Sequence, residues 1–468
     1  MEWLALVERE LLLFAGSFFL LGALDELAVD LVWIWLKLTG RARTGRIDRA
    51  AERHRPLAGA VAVLIPTWRE AEVIGATVAH ALEAWPQAGL RLYVGCYRND
   101  PGTAEAVLHA ARGDPRLRLV VHGNLGPTTK ADCLNRLYRA LEEDERRTGR
   151  NFRMVVLHDA EDMVDPAALG VLDRAIAGDE GGADFVQLPV RPEPQPESRW
   201  VAGHYCEEFA EAHAKALVVR DALGAGLPAA GVGCAFSRAM LDRLDRLARG
   251  AQPAKGGGPF SVESLTEDYE LGLRITALGG RSRFLRLRGE DGELVATRAC
   301  FPPGLGPAVR QKTRWIHGIA FQGWDRLGWS ARPVELWMRL RDRRGPLSAI
   351  VLAAAYLMLV FGAVLAIAGY LGFGRPWKPD PLVGLLIGAG AASLVLRAGA
   401  RFGFTAHEYG LAEGLWAMPR IVVANVIAIM AGRRALFAYL ATLGGKLPRW
   451  DKTDHAAHPA LMRVGPSS

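Results

Sequence analysis

The feature that most constrains this chain is an apolar run at residues 152–157 that leads into three carboxylates, Asp159, Glu161 and Asp162. An apolar run of this length predicts a buried strand, and acids at its carboxyl end would lie at the ligand-binding edge of an open α/β sheet. Neighbouring carboxylates repel one another unless a cation holds them, and oxygen ligands of this kind suit Mg²⁺ or Mn²⁺. A solvated acidic turn is the alternative that this stretch alone leaves open.

The stretch from residue 60 to 330 alternates short β-rich runs with longer helical patterns. The predicted strands are Val61–Ile65, Leu92–Cys96, Leu117–Val121, Met154–Leu157 and Asp184–Leu188. Strands separated by helices predict βαβ units, and therefore a largely parallel sheet that is covered on both faces. We expect an α/β domain here, and this domain is the candidate for catalysis.

Long apolar segments on either side of this domain predict membrane helices. Residues 347–373 carry no charge, which is enough length for a span, and the basic residues that precede them mark the cytoplasmic end. The N-terminal helix is followed by Lys37 and several arginines, so its end should also be cytoplasmic. The predicted organisation is an N-terminal anchor at 1–38, a basic cytoplasmic linker at 39–59, the α/β domain at 60–330, a basic segment with a helix pair at 331–400 (about 347–373 and 381–397), and interfacial or re-entrant helices with a cytoplasmic tail at 401–468.

The number of spans depends on the last apolar run. Residues 421–432 are only 12 residues between Arg420 and Arg433, so we expect an interfacial or re-entrant helix and three spans in total. A fourth span, which would put the tail outside, is the alternative. In the first helix, Asp25, Glu26 and Asp30 form an ionisable cluster, which either has a functional role or pairs with arginines nearby.

Charge distribution and cysteine spacing argue against nucleic-acid binding, a disulfide framework and a zinc site. The net charge is +7, but Lys and Arg cluster beside the long apolar stretches, which favours membrane topology over nucleic-acid binding as the reason for the basicity. The five cysteines form no Cys-x-x-Cys pair, so neither a disulfide framework nor a zinc site is expected.

Three further positions in the α/β domain are candidate site residues. Glu70 follows the first strand, where it either binds a ligand or caps the next helix. Lys130 begins a helix, and its charge opposes the helix dipole unless an anion such as phosphate, or free solvation, compensates it. Asp268 lies in a Thr-Glu-Asp segment and is a candidate general base, although such a segment is also an ordinary helix start.

A predicted helix from about Gly306 places Gln311, Arg314 and Trp315 on one face. Arginine suits a diphosphate oxygen, and tryptophan suits either a sugar or the membrane interface. The order of these segments resembles the processive family 2 glycosyltransferases, the group of cellulose, chitin and hyaluronan synthases. Nearly the whole chain is also similar to the glycosyltransferase region of the bacteriophage adsorption protein B family of the bacterial inner membrane. The segments that carry this likeness are Asn99–Pro101, Gly126–Asn135, His158–Asp162, Ala230–Gly233, Leu265–Tyr269, Val309–Ile316 and Trp450–His455.

The resemblance implies a cytoplasmic GT-A domain, which is Rossmann-like with a mostly parallel sheet, attached to an α-helical transmembrane region. It implies a nucleotide-diphosphate sugar donor, with a UDP-sugar as the first expectation, and inversion at the anomeric carbon. Asp159 and Glu161 would bind the donor diphosphate through Mg²⁺ or Mn²⁺, with Asp162 as the alternative to Glu161, and Asp268 would be the base. The other implied contacts are Glu70, Asn99, Asp100, Lys130, Gln311 and Arg314 for the donor, and Trp315 and Glu267 for the acceptor.

One departure from the family pattern concerns the nucleotide. The Asp-Asp pair that usually ends the second strand is replaced by Cys96 and Tyr97, so a uracil contact by Asp100 is only a hypothesis. The expected function is a multi-pass membrane transferase that extends a polysaccharide. The alternatives are single addition to a lipid-linked acceptor and a non-catalytic membrane scaffold or phage receptor component. Three spans make a thin wall for a polymer channel, so export would need further copies of the chain or a partner protein. Membrane lipid is the other expected associate.

Overall fold

The computed structural model describes residues 2–178, 182–251, 257–372, 380–445 and 457–462. The segment 450–455 that the resemblance includes lies outside the described residues. The strands are β1 (Gly45–Arg46), β2 (Ala60–Pro66), β3 (Leu90–Tyr97), β4 (Leu117–His122), β5 (Phe152–Leu157), β6 (Phe185–Gln187), β7 (Val190–Pro192), β8 (Cys234–Ser237), β9 (Ser282–Phe284), β10 (Leu287–Arg288) and β11 (Thr297–Ala299). The helices are α1 (Glu2–Leu38), α2 (Arg49–His54), α3 (Ile74–Ala84), α4 (Pro101–Ala111), α5 (Lys130–Thr148), α6 (Ala168–Ala177), α7 (Gly203–Glu211), α8 (Leu217–Ala222), α9 (Arg238–Ala251), α10 (Glu267–Ala277), α11 (Leu305–Ile316), α12 (Gly323–Leu327), α13 (Pro333–Arg343), α14 (Gly345–Tyr370), α15 (Pro381–Tyr409), α16 (Leu411–Leu443) and α17 (Pro459–Met462). Two π-helical segments, Ala212–Ala216 and His317–Gln322, join α7 to α8 and α11 to α12.

A seven-stranded sheet forms the centre of the α/β domain, in the order β4-β3-β2-β5-β8-β6-β9. β2, β3, β4 and β5 are parallel to one another, whereas β8 runs antiparallel between β5 and β6. All five predicted strands are present, so the mostly parallel sheet is confirmed. The sequence analysis missed β8 and β9, because strands of three or four residues show too little periodicity.

The central strands are buried on both faces. In β2, residues 61–65 are at most 1% exposed. Val61, Val63 and Ile65 pack in a core with α3, α4 and α6, and Ala62 and Leu64 pack in a second core with α5, α9 and α10. Parallel strands that are covered twice have continuous apolar sequences, which is why these runs could be recognised. The carboxyl ends of β2, β3 and β5 therefore meet at one edge, where the polar residues that follow them come together.

Within the described residues, four helices are long and apolar enough to cross a membrane: Val7–Leu38, Gly345–Tyr370, Pro381–Tyr409 and Leu411–Leu443. The first three correspond to the predicted anchor and helix pair, although α15 continues well past the predicted end at residue 397. The fourth corrects the sequence interpretation of a short apolar run, since α16 is one continuous helix of 33 residues. Arg420 and Arg433 lie inside this helix and do not delimit it.

Both ends of α16 contact the α/β domain or the segment that directly follows it. Near the start, Arg420 is fully buried; its Nη1 donates to the carbonyl of Gly203 at 3.0 Å and lies 3.2 Å from the Glu207 carboxylate. Near the end, the Tyr439 hydroxyl donates to Asp325 at 3.1 Å. α16 also packs against α14 and α15, the two candidate membrane helices that precede it.

The acid cluster of α1 is paired with basic residues from three other elements. Glu26 lies 2.9 Å from Arg341 of α13 and 2.9 Å from Arg397 of α15. Asp30 lies 3.0 Å from Arg397 and 2.7 Å from Lys215 of a π-helical segment. Buried charges are stable only when they are compensated in this way. The pairing alternative of the sequence analysis is therefore confirmed, and the network ties α1 to the α/β domain.

Candidate active site

A cavity of about 590 Å³ opens at the carboxyl edge of the sheet, a volume within the range of small-molecule sites. The segments after β2 and β5 and the end of β3 form one side of it, and α10, α11 and α13 form the other. Ten of the twelve residues that the sequence analysis proposed line it: Glu70, Lys130, Asp159, Glu161, Asp162, Glu267, Asp268, Gln311, Arg314 and Trp315.

Lys130 lies among the carboxylates of both sides. Its Nζ is 2.5 Å from Oδ1 of Asp159, and the charges of Glu267 and Asp268 also act on it. Thr129 caps α5 by accepting a hydrogen bond from the backbone N–H of Asp132 at 3.2 Å, which makes Lys130 the first residue of the helix. The anion that a lysine in this position requires is therefore supplied by the protein's own acids.

Burial and mutual repulsion change the protonation of these groups. Burial raises the pKa of Asp268, which Lys130 opposes and Asp159 reinforces. Burial and the charge of Asp268 raise the pKa of Glu267 to about 7, against the effect of Lys130. Burial also acts against the charge of Lys130, but the three carboxylates outweigh it and hold the pKa of Lys130 above its ordinary value. A buried carboxyl with a raised pKa is suited to accept a proton near neutral pH.

Gly231 allows the backbone to approach Asp268 closely. Its φ is +76°, and a Cβ at this position would lie 2.3 Å from Oδ2 of Asp268 and 3.2 Å from Nζ of Lys130. Oδ1 of Asp268 accepts the backbone N–H of Tyr269 at 2.7 Å, so Oδ2 remains beside the glycine and the lysine. Only glycine fits both the backbone conformation and the space, which explains its place in the Ala230–Gly233 segment.

The three acids after β5 differ in their surroundings. Asp162 is 1% exposed, and its Oδ2 accepts from the backbone N–H of Asp159 and from Nδ1 of His158, each at 2.9 Å. Its carboxylate therefore braces the loop. The side chain of Asp159 is 31% exposed and faces Lys130, while Glu161 lines the cavity at 9% exposure.

No group of three or more His, Cys, Asp or Glu side chains is gathered for a metal in the part of the chain that the structure describes. Mg²⁺ and similar cations are often held by one or two carboxylates, with substrate phosphates and water completing the shell. Asp159 and Glu161, both on the cavity, fit this shared kind of site.

The α11 side chains form the opposite wall. Gln311 is 9% exposed, and its Oε1 has no hydrogen-bond partner among the described residues. Arg314 lies near enough for its charge to lower the pKa of Asp268 against the effect of burial. Trp315 meets Tyr205 edge to face, with ring centroids 6.2 Å apart. This wall thus presents an amide, a cation and an aromatic ring to the cavity.

Asn99 and Asp100 are the two proposed residues that are not among those lining the cavity. Asn99 exchanges two hydrogen bonds with the backbone of Gly126, at 2.8 and 2.9 Å. Oδ2 of Asp100 accepts the backbone N–H of Arg69 at 2.6 Å. Both side chains hold the neighbouring loops in place, whereas Glu70 lies on the cavity itself and is 4% exposed.

Two aromatic residues on the cavity were missed by the sequence analysis. Trp68 follows β2 and Tyr97 ends β3, and their rings meet edge to face with centroids 5.3 Å apart. The Tyr97 hydroxyl shares a hydrogen bond with that of Thr128 at 2.6 Å. Their position at the carboxyl ends of neighbouring strands was the available signal.

The cavity continues from the acids to the base of the membrane helices. Its far lining includes Val29 of α1, Leu217 of α8, and Met338 and Arg341 of α13. Arg341 is one of the residues that pair with Glu26 of α1. A single space therefore joins Asp268 to the junction of α1 and α13.

Comparisons with known proteins show the family and the fold of this chain. Residues 58–318 match the family described as "Glycosyltransferase like family 2". The chain is 32% identical over 466 residues to bacteriophage adsorption protein B of Escherichia coli K12, and equally to bacteriophage N4 adsorption protein B of Escherichia coli O157:H7, with 93% of this chain and 60% of each relative covered. It thus spans about 60% of the length of these relatives.

A solved mannosyltransferase from Pyrobaculum calidifontis, in complex with GDP-Man and Mn²⁺, has a TM-score of 0.50 and 19% identity, with 89% of this chain and 99% of that chain covered. This likeness concerns the fold, and it confirms the predicted GT-A architecture. The family match covers more than half of the chain and includes Asp159, Asp268 and Arg314. The protein therefore belongs to glycosyltransferase family 2 and is a glycosyltransferase.

Proposed function

We propose that this protein is a membrane-bound inverting transferase that moves a sugar from a nucleotide-diphosphate donor to a growing polysaccharide. The observation that carries the proposal is the single cavity that joins Lys130, Asp268 and the junction of α1 with α13. A donor held at the sheet edge and an acceptor that enters from the membrane side would meet at Asp268.

Asp268 is the general base. It takes the proton of the acceptor hydroxyl while the oxygen attacks the anomeric carbon, and the bond between that carbon and the donor diphosphate breaks in the same step. Arg314 and Lys130 stabilise the negative charge that develops on the leaving diphosphate. One displacement inverts the configuration, and no covalent intermediate with the enzyme is needed.

Asp159 and Glu161 would hold Mg²⁺ or Mn²⁺ together with the donor diphosphate. The engagement of Asp162 with His158 and with the N–H of Asp159 supports Glu161 as the second ligand. The bound cation would supply positive charge to the departing diphosphate. This role needs only two protein carboxylates, in keeping with the donor set on the cavity.

The nucleoside side of the donor falls to Trp68 and Tyr97 in this proposal. Their ring faces and edges offer apolar area for a base or ribose. Asn99 and Asp100 act indirectly, since their polar atoms are bonded to Gly126 and Arg69. Because the mannosyltransferase was solved with GDP-Man, donors of both the UDP and GDP classes are worth testing.

A lipid-linked acceptor that receives a single sugar is the second candidate. It is favoured by the apolar residues Val29 and Met338 at the membrane end of the cavity, beside Arg341. A polymer product would also need a route through the membrane, which further copies of the chain or an export partner would provide.

The test is to incubate the purified protein with a panel of UDP-sugars and GDP-sugars plus Mg²⁺ or Mn²⁺, and to follow nucleotide release and product length. UDP-N-acetylhexosamines are the first donors to try. We expect metal-dependent release with at least one donor. A ladder of products supports the polysaccharide, and a single product supports the lipid-linked acceptor. Absence of release from every donor contradicts the proposal.

We further propose that the catalytic domain and the end of the chain both face the cytoplasm of a bacterium, at its inner membrane. α14 and α15 would form one outward and one inward crossing, and α17 packs against α3 of the catalytic domain.

Cysteines introduced at the exposed positions Leu371 and Leu461 test this orientation. In spheroplasts, an impermeant maleimide should label Leu371→Cys directly and Leu461→Cys only after permeabilisation. Four of the five native cysteines are buried, and the parent protein provides the background. Labelling of Leu461→Cys in intact spheroplasts would refute the orientation.

A further inference from the structure

The loop between β5 and α6, residues 158–167, carries the acids of the site, and we call it the acidic loop. Four of its backbone carbonyls accept hydrogen bonds from side chains elsewhere in the fold. Thr77 bonds Ala160, His80 bonds Val164 at 2.9 Å, Trp85 bonds Asp165 at 3.0 Å, and His458 bonds Asp162 at 3.3 Å. Three of these donors belong to α3 or directly follow it. The fourth, His458, lies 296 residues after Asp162 in the sequence.

The geometry assigns the proton of the His458 ring. Nδ1 accepts the backbone N–H of Ala460 at 3.1 Å, so Nε2 carries the hydrogen and donates it to the carbonyl of Asp162. His458 is 0% exposed. A polar ring is stable in a fully buried position when its nitrogens are hydrogen-bonded, and both nitrogens of His458 are bonded here, so the contact is a specific attachment.

Asp162 connects this attachment to the catalytic groups. While its carbonyl is held by His458, its carboxylate holds the N–H of Asp159 and the ring of His158. Asp159 in turn faces Lys130 at 2.5 Å. Loss of the His458 donor would leave a buried carbonyl unsatisfied, which favours movement of the loop toward water. The position of Asp159 would change with it.

We propose that residues 457–462, the C-terminal strap, hold the acidic loop in the position that binds the donor, and that His458 is the positioning residue of this strap. His458 touches neither donor nor acceptor. It acts through Asp162 on Asp159, so the strap controls donor affinity more than the chemical step. The inference rests on the proposed function for the identity of the donor, but not for the contact itself.

The test compares three variants of the full chain. His458→Leu removes the donated hydrogen bond and fills the buried position with an apolar side chain. His458→Gln restores a donor, since its amide nitrogen can reach the place of Nε2. Leu461→Ala alters an exposed residue of the same strap, 58% exposed, and is the matched control.

Two measurements are made on each variant. The first is hydrogen–deuterium exchange of the acidic-loop amides, which needs no substrate. The second is the KM for the donor against kcat, with the donor that the panel identifies. For His458→Leu we expect exchange in the loop to quicken and the donor KM to rise by about 10-fold, with kcat within about 2-fold of the parent. His458→Gln should recover most of both effects, and Leu461→Ala should match the parent.

Unchanged exchange in the loop of His458→Leu would overturn the proposal, whatever the activity. The proposal would also be overturned if His458→Leu and His458→Gln lowered the unfolding temperature equally and left the donor KM unchanged. That result would indicate a general role of His458 in stability. If exchange quickens as expected but the parent itself transfers no sugar, then the proposed function fails while the strap stands.

Discussion

The cavity has a sheet wall, formed by the segments after β2 and β5 and the end of β3, and a helix wall, formed by α10, α11 and α13. The two walls are built on different principles. On the sheet wall, the acidic loop is fastened by four side chains that bond its carbonyls, and the Asp162 carboxylate is used within the loop. On the helix wall, Oγ1 of Thr266 and Oε1 of Gln311 are buried and lack hydrogen-bond partners among the described residues. In the acidic loop, the buried atom in this state is Nε2 of His158. A buried polar atom without a partner costs about 1–3 kcal/mol. The backbone carbonyls of the acidic loop are therefore bonded within the fold, whereas Thr266 and Gln311 keep unbonded polar atoms beside the cavity.

This difference suggests a division of labour. In the proposed mechanism the acidic loop holds a diphosphate through a cation, and a preorganised loop suits this task because its groups need not move on binding. The helix wall carries Asp268, Glu267 and Arg314, whose charges would respond to the reacting groups in the same mechanism. Lys130 joins the two walls, since its Nζ bonds Asp159 on one and compensates Asp268 on the other.

The largest effect should come from Asp268, the proposed base on the helix wall. Asp268→Asn keeps the shape of the side chain but cannot accept the proton, so we expect transfer to fall by at least about 10²-fold. Donor binding, measured by titration with the nucleotide and metal, should change little. Glu105→Gln, an exposed acid-to-amide change on α4, is the control. Turnover of Asp268→Asn near that of the parent would remove the base from the helix wall.

An intermediate effect should distinguish two acids of the sheet wall. Asp159→Asn is expected to weaken donor binding in the presence of metal by about 10- to 100-fold, because a ligand to the cation is lost. Asp162→Asn should instead lower the unfolding temperature, since its carboxylate accepts from the N–H of Asp159 and from His158. Thermal unfolding and metal titration of this pair provide the comparison. If both variants lose metal affinity equally without loss of stability, Asp162 is a ligand and not a brace.

The sequence allowed the sheet wall to be located, because its strands are continuous apolar runs that end on acids. The five strands and the start of α5 at Lys130 are as predicted. It did not reveal β8, which brings Gly231 against Asp268, because contacts between residues so far apart leave no periodic signal. It also could not show that Asn99 and Asp100 are used within their loops, since hydrogen-bond partners are set by tertiary packing.

The helix wall and the membrane region were predictable in part. The charge-free segment predicted α14 well, but the arginines inside α16 made a continuous helix look like a short run. Arg420 is fully buried against Glu207 and Gly203, so its charge is compensated by a distant element. Composition along the chain cannot register such a partner. For the same reason His458, whose contact is with the acidic loop, gave no signal in the sequence.

The smallest effect concerns Glu267, and it depends on pH. Burial and Asp268 raise the pKa of Glu267 to about 7 from a reference near 4.5, so its ionised form is disfavoured in the folded state. The folded protein then binds more protons than the unfolded chain between these values, and stability falls as pH rises through that window. Glu267→Gln removes the penalty, which amounts to roughly 3 kcal/mol when fully present. The variant should therefore unfold a few degrees higher than the parent at pH 8, with a much smaller difference at pH 5.

Thermal unfolding in detergent at both pH values measures this difference, with Glu105→Gln as the exposed acid-to-amide control. If Glu267→Gln raised the unfolding temperature equally at pH 5 and pH 8, the destabilisation by Glu267 would be steric and not due to its charge. The helix wall would then not differ from the sheet wall by carrying an uncompensated charge.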